Sequence, residues 1–272
     1  MDVDEPSTTH HQLFSDYHMH PQGHRVQQYT QDLLQPWADS ARRLGLKDIA
    51  FTDHDRYHAG IDFDEINRLR ERNPDLRIRA GIELDNDPVH SSAGRKWIEK
   101  NWDKLDFVLG SVHFLERADQ MFDSVPDGAT QFEHKNIDEI YADYFRRVSE
   151  VIGTGLVDSL AHLDLIKIHG HRPAADIRAL VNETLEIIHA RNLAIELSTA
   201  GWRKPVKELY PSDSIIELAI EKGISFTTAS DAHSHVQLGE NFTRLTDKMA
   251  EIGICQVCIF EKHKAVQVPL QL

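Results

Sequence analysis

The sequence predicts a parallel α/β fold, either a barrel or a doubly wound sheet. Two observations predict it: short β-like runs alternate with helical stretches along the whole chain, and nearly every β-like run ends in His, Asp or Glu. The 272 residues suit one large α/β domain or two ordinary ones, and 40% hydrophobic residues suffice for a sizeable core.

The elements follow in order. A polar, acidic lead-in (residues 1–12) precedes a first strand over 13–18. A helix over 30–45 then stops at glycine in RRLGLK, as C-cap chemistry favours. Strands are expected at 47–52 (KDIAFT), 77–82 (RIRAGI), 105–111 (LDFVLGS), 156–161 (LVDSLA), 193–198 (LAIELS) and 224–229 (ISFTTA), with a late strand at 255–260. The intervening helices are expected at 63–72, 94–102, 137–152, 176–191 and 212–222, the last stopping at glycine in EKGI. In the helix over 176–191, Ile177, Leu180, Val181, Thr184, Leu185 and Ile188 fall at the spacing of one face. No internal repeat, low-complexity tract or Gly/Ser linker divides the chain, so one domain over 1–272 is expected. The longest irregular piece, 114–136, has the length of a loop that covers a site.

Composition narrows the function. A formal charge of −14, with 44 Asp+Glu against 30 Lys+Arg, argues against a basic surface for a nucleic-acid polymer. It leaves room for a small phosphorylated substrate, because bound cations reverse the local sign. No apolar run approaches the ~20 residues that span a bilayer, and the N-terminus has neither the basic nor the apolar region of a signal peptide. The two cysteines, Cys255 and Cys258, lie in GICQVCIF, whose alternation places them on opposite faces of a strand rather than around zinc. A reducing cytoplasm fits, and a monomer or homodimer is expected.

The anomaly is the 17 histidines, many of which fall at strand ends. The first strand is followed by His18, His20 and His24, the second by Asp53 and His54, and the third by Glu83 and Asp85. His113 follows the fourth, His162 and Asp164 the fifth, and Asp231 and His233 the seventh. The sixth leads instead to Arg203 and Lys204. In an α/β barrel the reactive side chains sit at the carboxyl ends of the strands. Neutral imidazole and carboxylate together suit Zn²⁺, Mn²⁺ or Fe²⁺. A bend after the first strand lets both rings of His-x-His reach one ion. Six to eight histidines with two carboxylates exceed the needs of one ion, so two or three are implied, and clustered ions suit phosphoryl chemistry.

Plainer roles remain for several of these groups. Asp53 suits a turn or the orienting of a neighbouring ring, and Asp85 and Asp164 suit helix caps or the same orienting role. Arg203 could pair with a surface carboxylate. His10 and His11 read as solvated tail, and His90, His134, His171, His189, His235 and His263 have no comparable placement. No Gly-rich phosphate loop is present.

The set HMH…TDH…GIE…GSVH…HLD…SDAH resembles the PHP (polymerase and histidinol phosphatase) superfamily over nearly all of residues 13–260. HLDLIKIHGHRP and ELSTAGWRKPVKELYPS are similar to its histidinol-phosphate phosphatase branch. The resemblance implies a distorted (β/α)7 TIM-like barrel with a trinuclear metal site. It also implies hydrolysis of L-histidinol phosphate to L-histidinol and phosphate, in histidine biosynthesis. It places His18, His20, Glu83 and Asp231 around one ion. Glu83 bridges to a second ion held by His113 and His162, and His24, His54 and His233 hold a third. Arg203 then binds the phosphate, while Asp231, His233 or a metal-bound water are candidates for supplying the proton that the leaving alkoxide needs. Two positions depart from the family pattern: Pro21 stands where Thr is usual, and Ile168 where a basic residue is common. Lys167, His169 or Arg172 could compensate for the second, which adds Lys167 and Arg172 to the phosphate-binding candidates. Asp55, Glu116 and Asp119 are candidates for receiving a substrate amine by loop position. Alternatives are a PHP phosphoesterase for nucleotides or other small phosphate esters, and a non-catalytic, metal-stabilised module. An amidohydrolase would want a metal-bridging lysine near a middle strand end, and none stands there.

Overall fold

The computed structural model describes residues 13–115 and 120–270. Seven strands pair in chain order, every pairing parallel: β1 (Ser15–Asp16), β2 (Asp48–Phe51), β3 (Arg77–Leu84), β4 (Phe107–Gly110), β5 (Ser159–Leu160), β6 (Ala194–Ser198) and β7 (Ser225–Ala229). The two edges of this sheet meet. The Tyr17 N–H donates to Thr228 O (2.9 Å) and the His20 N–H to Ala232 O (2.8 Å), so the sheet curls into a nearly closed barrel, as the family resemblance implies.

Six helices lie where the periodicity expects them: α1 (Gln31–Arg43), α2 (Phe63–Arg72), α3 (Ser91–Asn101), α4 (Ile137–Gly153), α5 (Ile177–Ala190) and α6 (Asp213–Glu221). Four of them start on side-chain caps, with Thr30, Asp62, Asn136 and Asp176 accepting backbone N–H groups of the first turn. Gly45 and Gly223 follow α1 and α6 in left-handed backbone (φ +73° and +71°), which ends each helix as anticipated. On α5 the expected face is the buried one: Val181, Thr184, Leu185 and Ile188 enter the core, with Ile177 and Leu180 packed at its margin.

Two elements go beyond the sequence reading. Helix α7 (Phe242–Glu251) begins at Asn241, which is left-handed (φ +65°) and offers no side-chain cap. It buries Leu245, Thr246 and Met249, and it is the start signal that is missing. Strand β8 (Gln256–Glu261) is the expected late strand, but it turns through Lys262 and His263 into an antiparallel partner, β9 (Lys264–Pro269). Both turn residues have positive φ (+48° and +62°) without the Gly or Asn that would announce a hairpin. The hairpin covers the amino ends of the barrel strands. There Tyr17, Phe107, Cys258 and Phe260 form a small apolar cluster, and the Tyr17 hydroxyl donates to Asp48 (3.0 Å) and meets Phe260 O at 3.2 Å. Cys258 is buried and Cys255 exposed, on opposite faces as the alternation predicts. With this end filled, chemistry is confined to the carboxyl ends. Among the described residues no helix is long and apolar enough to cross a membrane.

Candidate metal centre

The carboxyl ends of the strands converge on a cleft of ≈ 520 Å³. Local backbone explains how a strand end delivers several ligand-type side chains to one place. After β1 the chain continues extended through Met19, bridging Ala232, and then turns tightly, the Gly23 N–H donating to His20 O (3.0 Å). His18 and His20 thereby project to the same side and are fully buried, while His24 stays exposed at the rim. His162 and Asp231 adopt left-handed backbone (φ +23° and +50°) at the ends of β5 and β7. Strained φ at such residues persists only where the surroundings over-determine it.

The donor atoms of His18, His20, Glu83 and Asp231 sit at the corners of one small polyhedron. His18 Nε2 lies 3.0 Å from His20 Nε2, 3.4 Å from Glu83 Oε2 and 3.7 Å from Asp231 Oδ1. His20 Nε2 lies 3.6 Å from Glu83 Oε2 and 3.3 Å from Asp231 Oδ1. A tetrahedral ion with bonds of 2.0–2.2 Å sets its ligands about 3.4 Å apart, so these separations fit one cation. The other carboxylate oxygen, Glu83 Oε1, faces His162 Nε2 (3.5 Å) and His113 Nε2 (3.8 Å), so Glu83 offers one oxygen to each of two groups. His54 Nδ1 approaches Glu83 Oε2 at 2.9 Å, and His20, His54 and His233 bring ring nitrogens within 4.8 Å of one another. His24 joins through its ring, 4.3 Å from that of His233 and 6.1 Å from that of His54. Among the described residues neither oxygen of Glu83 has a hydrogen-bond partner, although the side chain is wholly buried. A bare buried carboxylate is costly unless a cation satisfies it.

Electrostatics favour the ligand-competent forms. Burial would push Glu83 and Asp231 up, but the surrounding imidazoles, His18 foremost among them for Asp231 and His54 for Glu83, hold both well below the usual carboxylate range. Burial drives His20 and His233 down to about 3, and lowers His54 and His24, which keeps their lone pairs free at neutral pH. His18 runs the other way: burial lowers it, but Glu196, Glu83 and Asp231 together raise it well above the ordinary value, so the three carboxylates favour positive charge at this ring. In His113, Asp85 and then Asp123 outweigh burial and lift it to about 9.

Three acids stand behind the ligand rings, and two of them, Asp85 and Glu196, are within hydrogen-bond reach of one. Asp85 Oδ2 lies 3.0 Å from His113 Nδ1 and pairs with Arg56, so it orients a ring and caps no helix. Asp53, pushed up to about 7 by burial, accepts from Tyr29 (2.6 Å) and the Gln22 N–H (3.0 Å) and lies 3.9 Å from His20 Nδ1. Glu196, in the middle of β6, lies 2.8 Å from His18 Nδ1 and leaves Nε2 to face the donor cluster. Sequence reading passed over Glu196 by looking only past strand ends. The available signal was a single charge within the apolar run LAIELS. Asp164 accepts the Ser212 N–H (2.9 Å) and pairs with Lys167 (2.9 Å) rather than capping its own turn through its side chain.

The cationic candidates separate. Arg203 lines the cleft; its Nη2 donates to Ser230 O (2.7 Å) and Asp231 O (3.1 Å), Nε lies 3.6 Å from Glu240, and Nη1 has no partner. Lys204 and Arg56 line the same cleft. Lys167 is buried outside it, with its ammonium on Leu209 O (2.7 Å) and Asp164, and Arg172 is exposed and paired with Glu208 (2.6 Å). Ile168 is fully buried in the main core, a place for an apolar side chain. Asp55 is not at the mouth as expected: it is buried under α3, against Gly94, and lines no part of the cleft. Of the histidines without a placement, His263 proves to join the hairpin to the barrel, 2.8 Å from Asp158. His10, His11, Glu116 and Asp119 lie outside the described residues.

Comparison with known proteins identifies the family. Residues 16–200 match the PHP domain model. A probable histidinol-phosphatase of Deinococcus radiodurans is 31% identical over 236 residues, covering 80% of this chain and 86% of that one. The histidinol-phosphatase of Lactococcus lactis is 27% identical, covering 80% and 83%. The solved structure of histidinol phosphate phosphatase from Lactococcus lactis, complexed with zinc, L-histidinol and phosphate, superposes with a TM-score of 0.70 at 20% identity, covering 93% of this chain and 98% of that one.

Proposed function

Because this chain belongs to the PHP domain family, we propose that it is a metal-dependent phosphomonoesterase that hydrolyses L-histidinol phosphate to L-histidinol and phosphate. The observation that carries this reading is the set of five donor separations of 3.0–3.7 Å among His18, His20, Glu83 and Asp231, in the same cleft as the unpartnered Nη1 of Arg203.

Two or three divalent ions (Zn, Mn or Fe) suit the residues present. His18, His20, Glu83 and Asp231 would hold one, Glu83, His113 and His162 a second, and His24, His54 and His233 a third. Such ions would supply Lewis-acid polarisation of phosphate oxygens and a lowered water pKa. The chain supplies the rest. Arg203, on the loop after β6, is fixed by Nη2 donating to carbonyls of the loop after β7, which leaves Nη1 to bind a phosphate oxygen and offset charge developing during attack. Lys204 adds a second positive charge beside it. Lys167 and Arg172 are tied to Asp164 and Glu208, and support the Arg203 loop rather than the phosphate. Asp231, held well below the usual carboxylate range and 3.6 Å from His233, suits accepting a proton from water through its second oxygen better than donating one to the leaving oxygen, whereas the one free lone pair of His233 would go to the third ion.

The test is phosphate release by purified protein, stripped of metal and reloaded with Mn²⁺ or Zn²⁺, on L-histidinol phosphate. Efficient, metal-dependent turnover is expected. Turnover confined to other phosphate esters would refute the substrate, and none on any ester would refute the phosphatase reading.

A further inference from the structure

The cleft has two electrical poles. Arg203 and Lys204 lie on the loop after β6, and Asp123 lies on the long segment after β4. Among the described residues lining the cleft there are three carboxylates, and two of them, Glu83 and Asp231, belong to the histidine cluster. Asp123 acts electrostatically on His113 and His24 but is not among the metal-holding groups, and its Oδ1 is buried without a hydrogen-bond partner among the described residues. A carboxylate oxygen held out of water wants a cation or a donor. The acid is also held in place. Its neighbour Phe122 is fully buried against Tyr144 and Phe132, its N–H donates to His113 O (2.9 Å), and its carbonyl lies 2.7 Å from His169 Nε2. Phe122 thus anchors Asp123 to the core.

Building on the phosphatase reading, we propose that Asp123 is a specificity-determining residue that binds the protonated amine or imidazolium of a cationic phosphomonoester while Arg203 binds its phosphate. A substrate with both charges spans the two poles. An aryl phosphate that carries no cationic group engages only the Arg203 pole. A charge-assisted hydrogen bond of this kind is worth roughly a 10- to 100-fold change in binding.

The test uses the Mn²⁺-loaded full chain and its Asp123→Asn variant, with L-histidinol phosphate and p-nitrophenyl phosphate as substrates. The ratio of the two kcat/KM values is expected to fall about 10- to 100-fold in the variant, mainly through KM for histidinol phosphate, with metal content per chain equal to that of the unmodified protein. Asp123→Glu is expected to restore part of the ratio. An unchanged ratio, whether both activities persist or fall in parallel, overturns the assignment, and so does loss of metal, which would make Asp123 part of the metal centre. If unmodified protein cleaves the aryl ester but not histidinol phosphate, the functional reading itself fails, and this inference falls with it.

Discussion

Replacing Glu196 with Gln removes one charge from behind His18 and changes little else. The amide oxygen can still accept from Nδ1–H across the same 2.8 Å, so the ring keeps its orientation, in a place where both side chains are wholly buried. The carboxylate favours anything positive at Nε2, a proton or a metal. A divalent ion carries twice the charge of the proton it displaces and sits about 7 Å from the carboxylate across the ring. At an effective dielectric near 20 the carboxylate attracts the ion by about 5 kcal/mol and the competing proton by about 3 kcal/mol. The net loss on substitution is therefore about 2 kcal/mol, or roughly 30-fold in metal affinity, within the ~10–100-fold range typical of groups behind a metal ligand. The assay is competition of stripped protein with a chromophoric chelator for Zn²⁺ at pH 7.5. A Kd within about twofold of the unmodified protein would refute the idea that Glu196 tunes His18.

Three further outcomes follow from the same geometry. Arg203→Ala should lower kcat/KM on the order of 10²- to 10³-fold, as removal of a preorganised donor does, while metal content stays constant; a change below about threefold would take Arg203 out of phosphate binding. His263 links the hairpin to Asp158 (2.8 Å) and the Trp102 carbonyl (3.1 Å), with Asp106 also facing it. Burial lowers its pKa, but Asp158 more than compensates, so the folded value lies above the ordinary 6.5. Its contribution is full below pH 6.5 and lost as pH rises through the folded value, so the Tm gap between unmodified protein and His263→Ala should narrow from pH 6 towards pH 9, and a constant gap would contradict this. Gly94→Ala would set a methyl 2.0 Å from Asp55 Oδ2 in a buried site, and should cost about 1–3 kcal/mol of stability, read as a lower Tm; an unchanged Tm would show that Asp55 can move aside.

Much of this was legible because the relevant signals are local. Strand–helix alternation, the Gly45 and Gly223 stops and the α5 face all depend on neighbours within a few positions. So does the clustering of His, Asp and Glu past strand ends. The misses have a common cause. Helix α7 opens without a capping side chain, strand β9 is mostly exposed, and the Lys262–His263 turn reaches positive φ without Gly or Asn, so none of the three carries a local start or turn signal. Asp55 read as a mouth residue because loop position says nothing of what lies above it, here α3 and Gly94.

The sequence by itself therefore determined the order and kind of elements, the parallel sheet, and the residue types gathered at its carboxyl end. Tertiary structure alone decided which of those side chains share a centre. Glu83 meets rings from β1, β4 and β5, and Glu196 reaches back across 178 positions to His18. Arg203 was separated from Lys167 and Arg172 in the same way, by which carboxylates and carbonyls lay within reach of each cation. The physical reason is that periodicity and turn chemistry are short-range. Ligand separations of 3–4 Å, by contrast, arise only when the barrel closes and β1 meets β7.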